Sequence, residues 1–365
     1  MLPVLVVFGN DALYYAFSGY ELFISNVFPS LFPFLVVVGC LVRLGAFRPK
    51  RRFTGSEQGI RLLDELSLIL TLFPAAALCG APSGSLLVDS ALDGDRYSLA
   101  EKSVLSAFLN LCCPMFLLTT VSCRFLGRTV VPFGLILLVS HISASFLLTV
   151  GFVFYKYFKE KRDTCRTVGR QSCASVRLKD DNAEPNTACR IADVFPFAVF
   201  DAVTTMLKML GTFVFFCVFA SLTEKALLSL SFPPVLCAIL TGLLEMTNGI
   251  SRVCSIVFPL KYKLILISFL CSFAGFSVIM QVHTVREIDL FKYAAAKLVH
   301  GLLAAAVCAA VCSVWLDGSA LVFDQNDASL AIGRLISFGE IAFLSCFASA
   351  LSLLITVFAV RKTRT

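Results

Sequence analysis

The 365-residue chain is 58% hydrophobic and only 15% charged, and its mean hydropathy is +0.86. Soluble globular proteins carry about 25% charged residues, so this composition excludes a water-soluble globular protein. The net charge of +7 does not indicate a nucleic-acid partner, because the basic residues lie beside apolar runs and form no aromatic-basic platform for single strands.

Seven apolar runs follow one another along the chain, and each is long enough to cross roughly 30 Å of hydrocarbon as an α-helix. They cover residues 22–44, 104–125, 130–155, 195–222, 264–282, 293–315 and 336–360. Only helices or closed barrels satisfy the backbone inside a bilayer, and these runs lack the alternation of barrel strands. The sequence therefore predicts an all-α polytopic membrane protein with the lipid bilayer as its partner.

Two further apolar segments are interrupted by helix breakers. The first, residues 66–88, contains the motif CGAPSG at 79–84. The second, residues 226–249, contains a Pro-Pro pair and ends in GLLEMTNG at 242–249. The alternatives are re-entrant hairpins that return to their side of origin and kinked helices that span fully.

The distribution of basic residues distinguishes these alternatives. Of 31 Lys and Arg, six lie at 43–61, nine at 156–190 and three at 361–364. Re-entrant hairpins place all three clusters on one face, as cytoplasmic loops require, and the acidic stretch 317–327 on the other. We therefore predict about seven transmembrane helices, two re-entrant hairpins and a cytoplasmic C-terminus.

This topology divides the chain into two membrane repeats of opposite orientation. The predicted boundaries are 17–155 for the first repeat (hairpin 66–88), 156–190 for a basic cytoplasmic loop, 191–315 for the second repeat (hairpin 226–249), and 316–365 for an extra helix and basic tail. Inverted repeats with broken segments at the midplane are typical of secondary transporters. We expect no enzyme, because the chain shows no nucleophile–base set, nucleotide loop or paired catalytic carboxylates.

Polar residues at membrane depth are costly and are therefore candidates for the site. Glu245 is the clearest, with Thr247 and Asn248 beside it. It is interpreted as a carboxylate that carries a proton, fixes a sodium ion or pairs with a buried cation, or alternatively as one that bonds to the backbone at a hairpin tip. No other cofactor is expected.

Three further candidates, Asn110, Ser277 and Gln281, lie in runs that each contain a helix breaker near the middle. Amides and hydroxyls orient a polar solute without a full charge. Asn110 has an alternative role, because it precedes Pro114 by one turn and can satisfy a carbonyl freed by that proline.

The glycine-proline motif supplies backbone groups to the predicted site. The segment from Gly80 through Pro82 to Gly84 is expected to offer the backbone N–H groups of its non-proline residues and a helix N-terminus, which attract carboxylates and phosphates. His141 and His300, in separate runs, are interpreted as packed or hydrogen-bonded residues and not as a metal site. Asp201 and Lys208 are likewise interpreted as structural.

The 15 cysteines form neither a disulfide framework nor a spaced metal motif. Most lie inside apolar runs, where cysteine behaves as a small hydrophobic residue. Cys112, Cys113 and Cys271 lie near the helix breaks and favour one alternative function, a metal carrier, because thiolates bind transition metals.

Five short motifs carry a resemblance to the YlbJ-type sporulation integral membrane proteins, which belong to the nucleoside-recognition, or Gate, group. The segment at 242–249 resembles the family's G-L-L-E-I-T-N-G. The others follow in the family's order: VFPSLFPF at 27–34 resembles V-F-P-S-L-x-P-F, CGAPSG at 79–84 resembles S-G-Y-P-x-G, NLCCPMF at 110–116 resembles N-x-x-G-P-x-F, and GFSVIMQV at 275–282 resembles G-L-S-V-x-x-Q-V. The resemblance covers about residues 17–310.

The resemblance implies a multi-pass transporter of the bacterial cytoplasmic membrane, associated with spore formation and with moving dipicolinate from the mother cell towards the forespore. Related Gate proteins include nucleoside carriers and the membrane part of ferrous-iron transporters. Three positions depart from the family: Ala81 and Leu86 replace its Tyr and Lys, and Cys113 replaces its Gly. Loss of that lysine removes the obvious partner for an anionic substrate.

The sequence thus predicts a secondary transporter of a small polar, anionic, dipicolinate-like solute. The alternatives are a Gate-type carrier of nucleosides or divalent metals, and a membrane scaffold that recruits partners through the loop at 156–190 without transporting. The sequence leaves open the solute, the coupling ion, the direction of transport and whether the protein forms an oligomer.

Overall fold

The structure, a computed structural model, describes residues 9–47, 58–92, 97–127, 133–167 and 191–315. Within these ranges every regular element is a helix. Five helical stretches are long and apolar enough to cross a bilayer: Gly9–Arg43, Leu135–Lys159, Ile191–Ser229, Leu260–Val285 and Leu290–Val314. The chain is therefore a polytopic α-helical membrane protein, as predicted. The predicted helix at 336–360 and the basic tail lie outside the described residues.

The first span begins earlier than the predicted run at 22–44. It consists of α1 (Gly9–Leu22), a π-helix (Phe23–Val27) and α2 (Phe28–Arg43). Pro29 has no N–H to donate to the carbonyl four residues before it, and the chain widens into the π-helix just ahead of it. The helix therefore continues through the proline and ends at a basic residue, which favours a helix C-terminus.

Three helices and one π-helix follow, separated by two breaks. They are α3 (Gln58–Cys79), α4 (Ser83–Ala91), α5 (Leu99–Leu109) and the π-helix Phe116–Phe125. Ser98 and Glu101 form a capping box that starts α5. Asn110 ends α5, and the chain stays irregular until Pro114. The helix breaker predicted in the run at 104–125 is thus confirmed.

Two long helices connect the halves of the chain, α6 (Leu135–Thr167) and α7 (Ile191–Ser229). Helix α6 extends into the region predicted as a loop from residue 156, and residues 168–190 lie outside the described ranges. Glu101 compensates the charges at this end of α6, with Oε atoms 3.7 Å from Lys156 Nζ and 3.5 Å from Lys159 Nζ. On α7, Asp201 pairs with Arg43 at 2.5 Å, and Lys208 is exposed.

The remaining five helices contain the second pair of breaks. They are α8 (Pro234–Leu244), α9 (Met246–Ser255), α10 (Leu260–Phe273), α11 (Gly275–Val285) and α12 (Leu290–Trp315). The chain reverses direction at Glu245, and the two arms then lie very close together. A Cβ built on Gly249 would be only 2.1 Å from the Cα of Gly242. Helices α8 and α9 therefore form a hairpin. Its second arm runs beyond the predicted end at 249, and residues 226–229 belong to α7.

The outer surface of the described helices is apolar. Large side chains such as Leu147, Phe200, Leu207 and Leu302 are more than half exposed, which is the expected arrangement for residues that face lipid. Inside, α12 packs along α10, and a Cβ on Gly301 would lie 3.1 Å from the ring of Phe269. Small residues allow this close approach of membrane helices, and it brings the polar face of α12 to the centre of the molecule.

Candidate functional site

The two breaks in the first half of the chain contact each other directly. Gly80 has a positive φ of 72°, which few side chains tolerate, and the N–H of Ala81 donates to the carbonyl of Leu111 at 2.7 Å. A Cβ on Gly84 would lie 2.3 Å from the carbonyl oxygen of Leu109. The glycines of this motif are thus required for close packing of one break on the other.

The two breaks in the second half meet in the same way. Ala274 and Gly275 both have positive φ values and separate α10 from α11. A Cβ on Gly275 would lie 3.1 Å from the carbonyl oxygen of Gly242 and from the amide nitrogen of Met246. The tip of the α8–α9 hairpin therefore packs on the break of the neighbouring helix, and the predicted breaker in the run at 264–282 is confirmed.

A cavity of about 70 Å³ lies between these two pairs of breaks. All four breaks line it, and Val27 of the first π-helix, α2 and α7 contribute the rest of its wall. The polar or ionisable side chains in its wall are Ser30, Asn110, Cys112, Cys113, Glu245, Thr247, Cys271 and Gln281. Sites for small molecules measure about 300–1,000 Å³, so a solute can occupy this cavity only if the breaks move apart.

Glu245 lies at the hairpin tip and is buried. Its Oε1 accepts a hydrogen bond from the N–H of Thr247 at 3.0 Å, and its Oε2 accepts one from the N–H of Asn248 at 2.7 Å. The carboxylate thereby caps α9, where the helix dipole favours a negative charge. Of the roles considered for Glu245, the structure shows the bonding to backbone at the hairpin tip. The residue also lies in the cavity wall.

Asn110 connects three parts of the molecule. Its Oδ1 accepts from the N–H of Ser85 in α4 at 3.1 Å, and its Nδ2 donates to the hydroxyl of Tyr293 in α12 at 2.9 Å. Its backbone carbonyl accepts a hydrogen bond from Lys297. Both halves of the amide are therefore engaged, which fixes the break while the residue faces the cavity.

Lys297 was missed in the sequence analysis. It is fully buried, and its Nζ donates to the carbonyl of Asn110 at 2.9 Å. No carboxylate in the described ranges forms an ion pair with it. The signal was present in the sequence, because an ionisable residue inside the apolar run at 293–315 is a functional candidate by default. Lys297 places an amine beside the cavity although the family's lysine is replaced by Leu86.

A buried histidine pair extends this network. The N–H of Cys112 donates to His141 Nε2 at 2.8 Å, and His141 Nδ1 lies 2.6 Å from the hydroxyl of Ser272. The ring of His300 lies 5.0 Å from that of His141, and its Nε2 is 3.3 Å from the carbonyl of His141. The hydrogen-bonded role expected for these histidines is confirmed, and they lie one layer behind the cavity.

The other predicted site residues lie in or near the cavity wall. Thr247 and Gln281 line the cavity. Ser277 lies behind Gln281 and accepts a hydrogen bond from its Nε2 at 3.0 Å. Asn248 contributes its backbone N–H to Glu245. In the glycine-proline motif the lining residue is Ala81, while Gly80, Pro82 and Gly84 shape the turn behind it.

The three cysteines near the breaks, Cys112, Cys113 and Cys271, all lie in the cavity wall. Within the described part of the chain, no three His, Cys, Asp or Glu side chains are grouped so that they could hold a metal ion.

Comparison with known proteins identifies a relative that is also named an integral membrane protein. The chain is 27% identical over 314 residues to the sporulation integral membrane protein YlbJ of Bacillus subtilis (strain 168), which covers 79% of this chain and 74% of the relative. No family model matches the chain, and no solved structure matches it. The resemblance to YlbJ-type sporulation membrane proteins, predicted from five short motifs, is therefore confirmed as a similarity that extends across most of the chain.

Proposed function

We propose that this protein is a secondary transporter of a small, polar, anionic solute. The observation that carries the proposal is the meeting of four helix breaks around one buried cavity. Broken helices at the centre of a membrane protein are tolerated where they are buried or line a cavity, and transporters bind their solutes at such points. The two contacting pairs, one in each half of the chain, support a repeat of two similar units.

The charges around the cavity favour an anion, because the Glu245 carboxylate in its wall already accepts two backbone N–H groups, which leaves the amine of Lys297 as the group that an anionic solute could meet. Lys297 is buried beside the cavity without a carboxylate partner in the described ranges. A buried ammonium is costly unless an opposite charge accompanies it, and a solute carboxylate would supply that charge. Dipicolinate, a small dicarboxylate, has this chemistry. The relative is named a sporulation protein, which supports the proposal that this chain acts in the mother-cell or forespore membrane of a spore-forming bacterium.

The residues of the cavity wall then have distinct roles. Asn110 and Gln281 present amide groups to a polar solute, with Ser277 orienting Gln281. Glu245 and Thr247 form the hairpin tip, and we propose that separation of this tip from the break at Ala274 and Gly275 opens the cavity. Glu245 thus acts in gating by holding the first turn of α9 together.

Transport by the purified chain in liposomes tests the function. Radiolabelled dipicolinate, a nucleoside and the neutral analogue pyridine-2,6-dicarboxamide would be offered under an imposed proton or sodium gradient. We expect gradient-driven uptake of dipicolinate that exceeds that of the diamide and the nucleoside. Absence of uptake of all three under both gradients would contradict a transporter of these solutes, and preferential uptake of the nucleoside would favour a nucleoside carrier.

A second candidate, a carrier of divalent metals, rests on the position of Cys112, Cys113 and Cys271 in the cavity wall, although these thiols are not grouped closely enough to hold a metal ion together in the described structure. Thiolates bind transition metals. Metal analysis of the purified protein after incubation with Fe²⁺ or Zn²⁺ tests this candidate. Metal bound by the unaltered chain and lost in Cys112→Ser and Cys113→Ser, but retained in the control Cys237→Ser on α8, would establish a metal site.

A further inference from the structure

Lys297 and His300 form a buried basic pair on one face of α12. They lie three residues apart, so their side chains are neighbours on the helix surface, and both are fully buried. The ionisable groups that face the pair are His141 of α6, Cys112 of the first-half break and Cys271 of α10. No carboxylate of the described residues is among them.

The two histidines differ in their capacity to accept a proton. His141 Nε2 accepts from the N–H of Cys112, so its Nδ1 carries the ring proton and donates to Ser272. Both of its ring nitrogens are therefore occupied. His300 bonds through Nε2 to a carbonyl oxygen, which can only accept, so the proton of the neutral ring is on Nε2. Its Nδ1 is a buried lone pair without a hydrogen-bond partner.

The neighbouring amine of Lys297 influences when His300 Nδ1 can bind a proton. Two positive charges this close together in a buried, low-dielectric region repel strongly. With the cavity empty of solute, burial in the protein interior, reinforced by the neighbouring amine of Lys297, keeps the ring of His300 neutral. An anion in the adjoining cavity would offset both positive charges and allow His300 to take up a proton.

We propose that His300 Nδ1 is the proton-binding site of the transporter, and that a carboxylate solute and one proton bind together through the Lys297–His300 pair. The inference rests on the proposed function. Linkage is reciprocal, so the solute raises the affinity for the proton by the same factor as the proton raises the affinity for the solute. Glu245 is less suited to this role, because both of its oxygens already accept backbone N–H groups.

Proton uptake on binding tests the inference with the full-length wild-type chain. Dipicolinate is added to the detergent-purified protein in weakly buffered solution at about pH 7, and a pH-indicator dye reports the protons taken up for each solute bound. We expect close to one proton per dipicolinate. If the wild-type chain bound dipicolinate and took up no proton, that result alone would overturn the inference.

Two matched variants locate the site. His300→Gln keeps an N–H that can donate to the carbonyl of His141 and removes the lone pair at Nδ1; we expect it to bind dipicolinate without taking up a proton. His283→Gln on α11 removes another histidine whose Nδ1 is buried and unbonded, and we expect wild-type proton uptake. If His300→Gln took up as many protons as the wild-type chain, the inference would be overturned while the proposed function stood. If the wild-type chain failed to bind dipicolinate, the proposed solute would be overturned.

Discussion

The ammonium of Lys297 in α12 donates a 2.9 Å hydrogen bond to the backbone carbonyl of Asn110, across 187 residues of sequence. This contact joins the last described helix to the break in the first half of the chain. It also places a buried amine behind the wall of the central cavity, so one interaction both holds the break in place and brings a basic group to the site.

Replacing Lys297 with methionine removes that charge while keeping most of the side-chain volume. A hydrogen bond to a charged group contributes about 1.5–3 kcal/mol, so we expect Lys297→Met to weaken dipicolinate binding by about tenfold or more. Binding of the neutral diamide, where it is measurable, should change little. Isothermal titration measures both affinities. Lys208→Met, at an exposed position on α7, is the control, and an equal loss in both variants would remove Lys297 from the site.

Adding a methyl group at Gly249 should disrupt the α8–α9 hairpin. The new Cβ would lie 2.1 Å from the Cα of Gly242, and backbone atoms cannot move aside without separating the two arms. We expect Gly249→Ala to lower the free energy of unfolding by about 3 kcal/mol or more, measured by thermal unfolding in detergent. Gly211→Ala, where the new Cβ meets nothing within 4 Å, should be neutral or stabilising. Wild-type stability of Gly249→Ala would contradict the hairpin.

The hairpin geometry also predicts membrane topology. If the hairpin is re-entrant, its two ends at Ser231 and Val257 face the same side of the membrane. Glu287, beyond the far end of the α10–α11 span, faces the other side. Single cysteines at these exposed positions would be labelled with an impermeant maleimide in cells, against the background of the unsubstituted chain. Labelling of Ser231→Cys and Val257→Cys from opposite sides would show that the segment spans fully.

Removing the Tyr293 hydroxyl tests the link between Asn110 and α12. In Tyr293→Phe the Nδ2 of Asn110 loses its partner at 2.9 Å and stays buried. A buried donor without a partner costs about 1–3 kcal/mol, and thermal unfolding should show a loss of stability in this range. Tyr262→Phe removes a hydroxyl from a side chain that is 54% exposed and should leave stability unchanged. No difference between the two variants would mean that the link contributes nothing.

Glu245→Gln separates gating from proton coupling. The amide oxygen of glutamine can accept one of the two N–H groups that the carboxylate holds, so we expect a stability loss of about 1–2 kcal/mol and slower dipicolinate uptake. Proton-dependent uptake in liposomes should persist. If this variant transported at the wild-type rate and lost its dependence on the proton gradient, the coupling role would belong to Glu245 and not to His300.

Several features of the fold could be predicted because they depend on local sequence. The length of the apolar runs requires helices in a bilayer, and the breaks beyond Leu109 and at Ala274 follow from proline and glycine next to them. Two alternatives were open for Glu245, and the choice between them depended on the conformation of the next three residues. The end of the hairpin was predicted too early, at 249, because apolar and polar residues mix between 249 and 255, where the second arm continues.

The sequence by itself determined that this protein is helical and embedded in a membrane, since composition and run length leave no other way to satisfy the backbone. It also marked where the helices break. Only the tertiary structure decided which breaks meet, and that Lys297 and His300 are buried in the protein interior and do not face lipid. The contacts of Lys297 with Asn110 and of His300 with His141 join residues more than 150 positions apart, and apolar helices of similar composition carry little local information about which neighbour they will pack against.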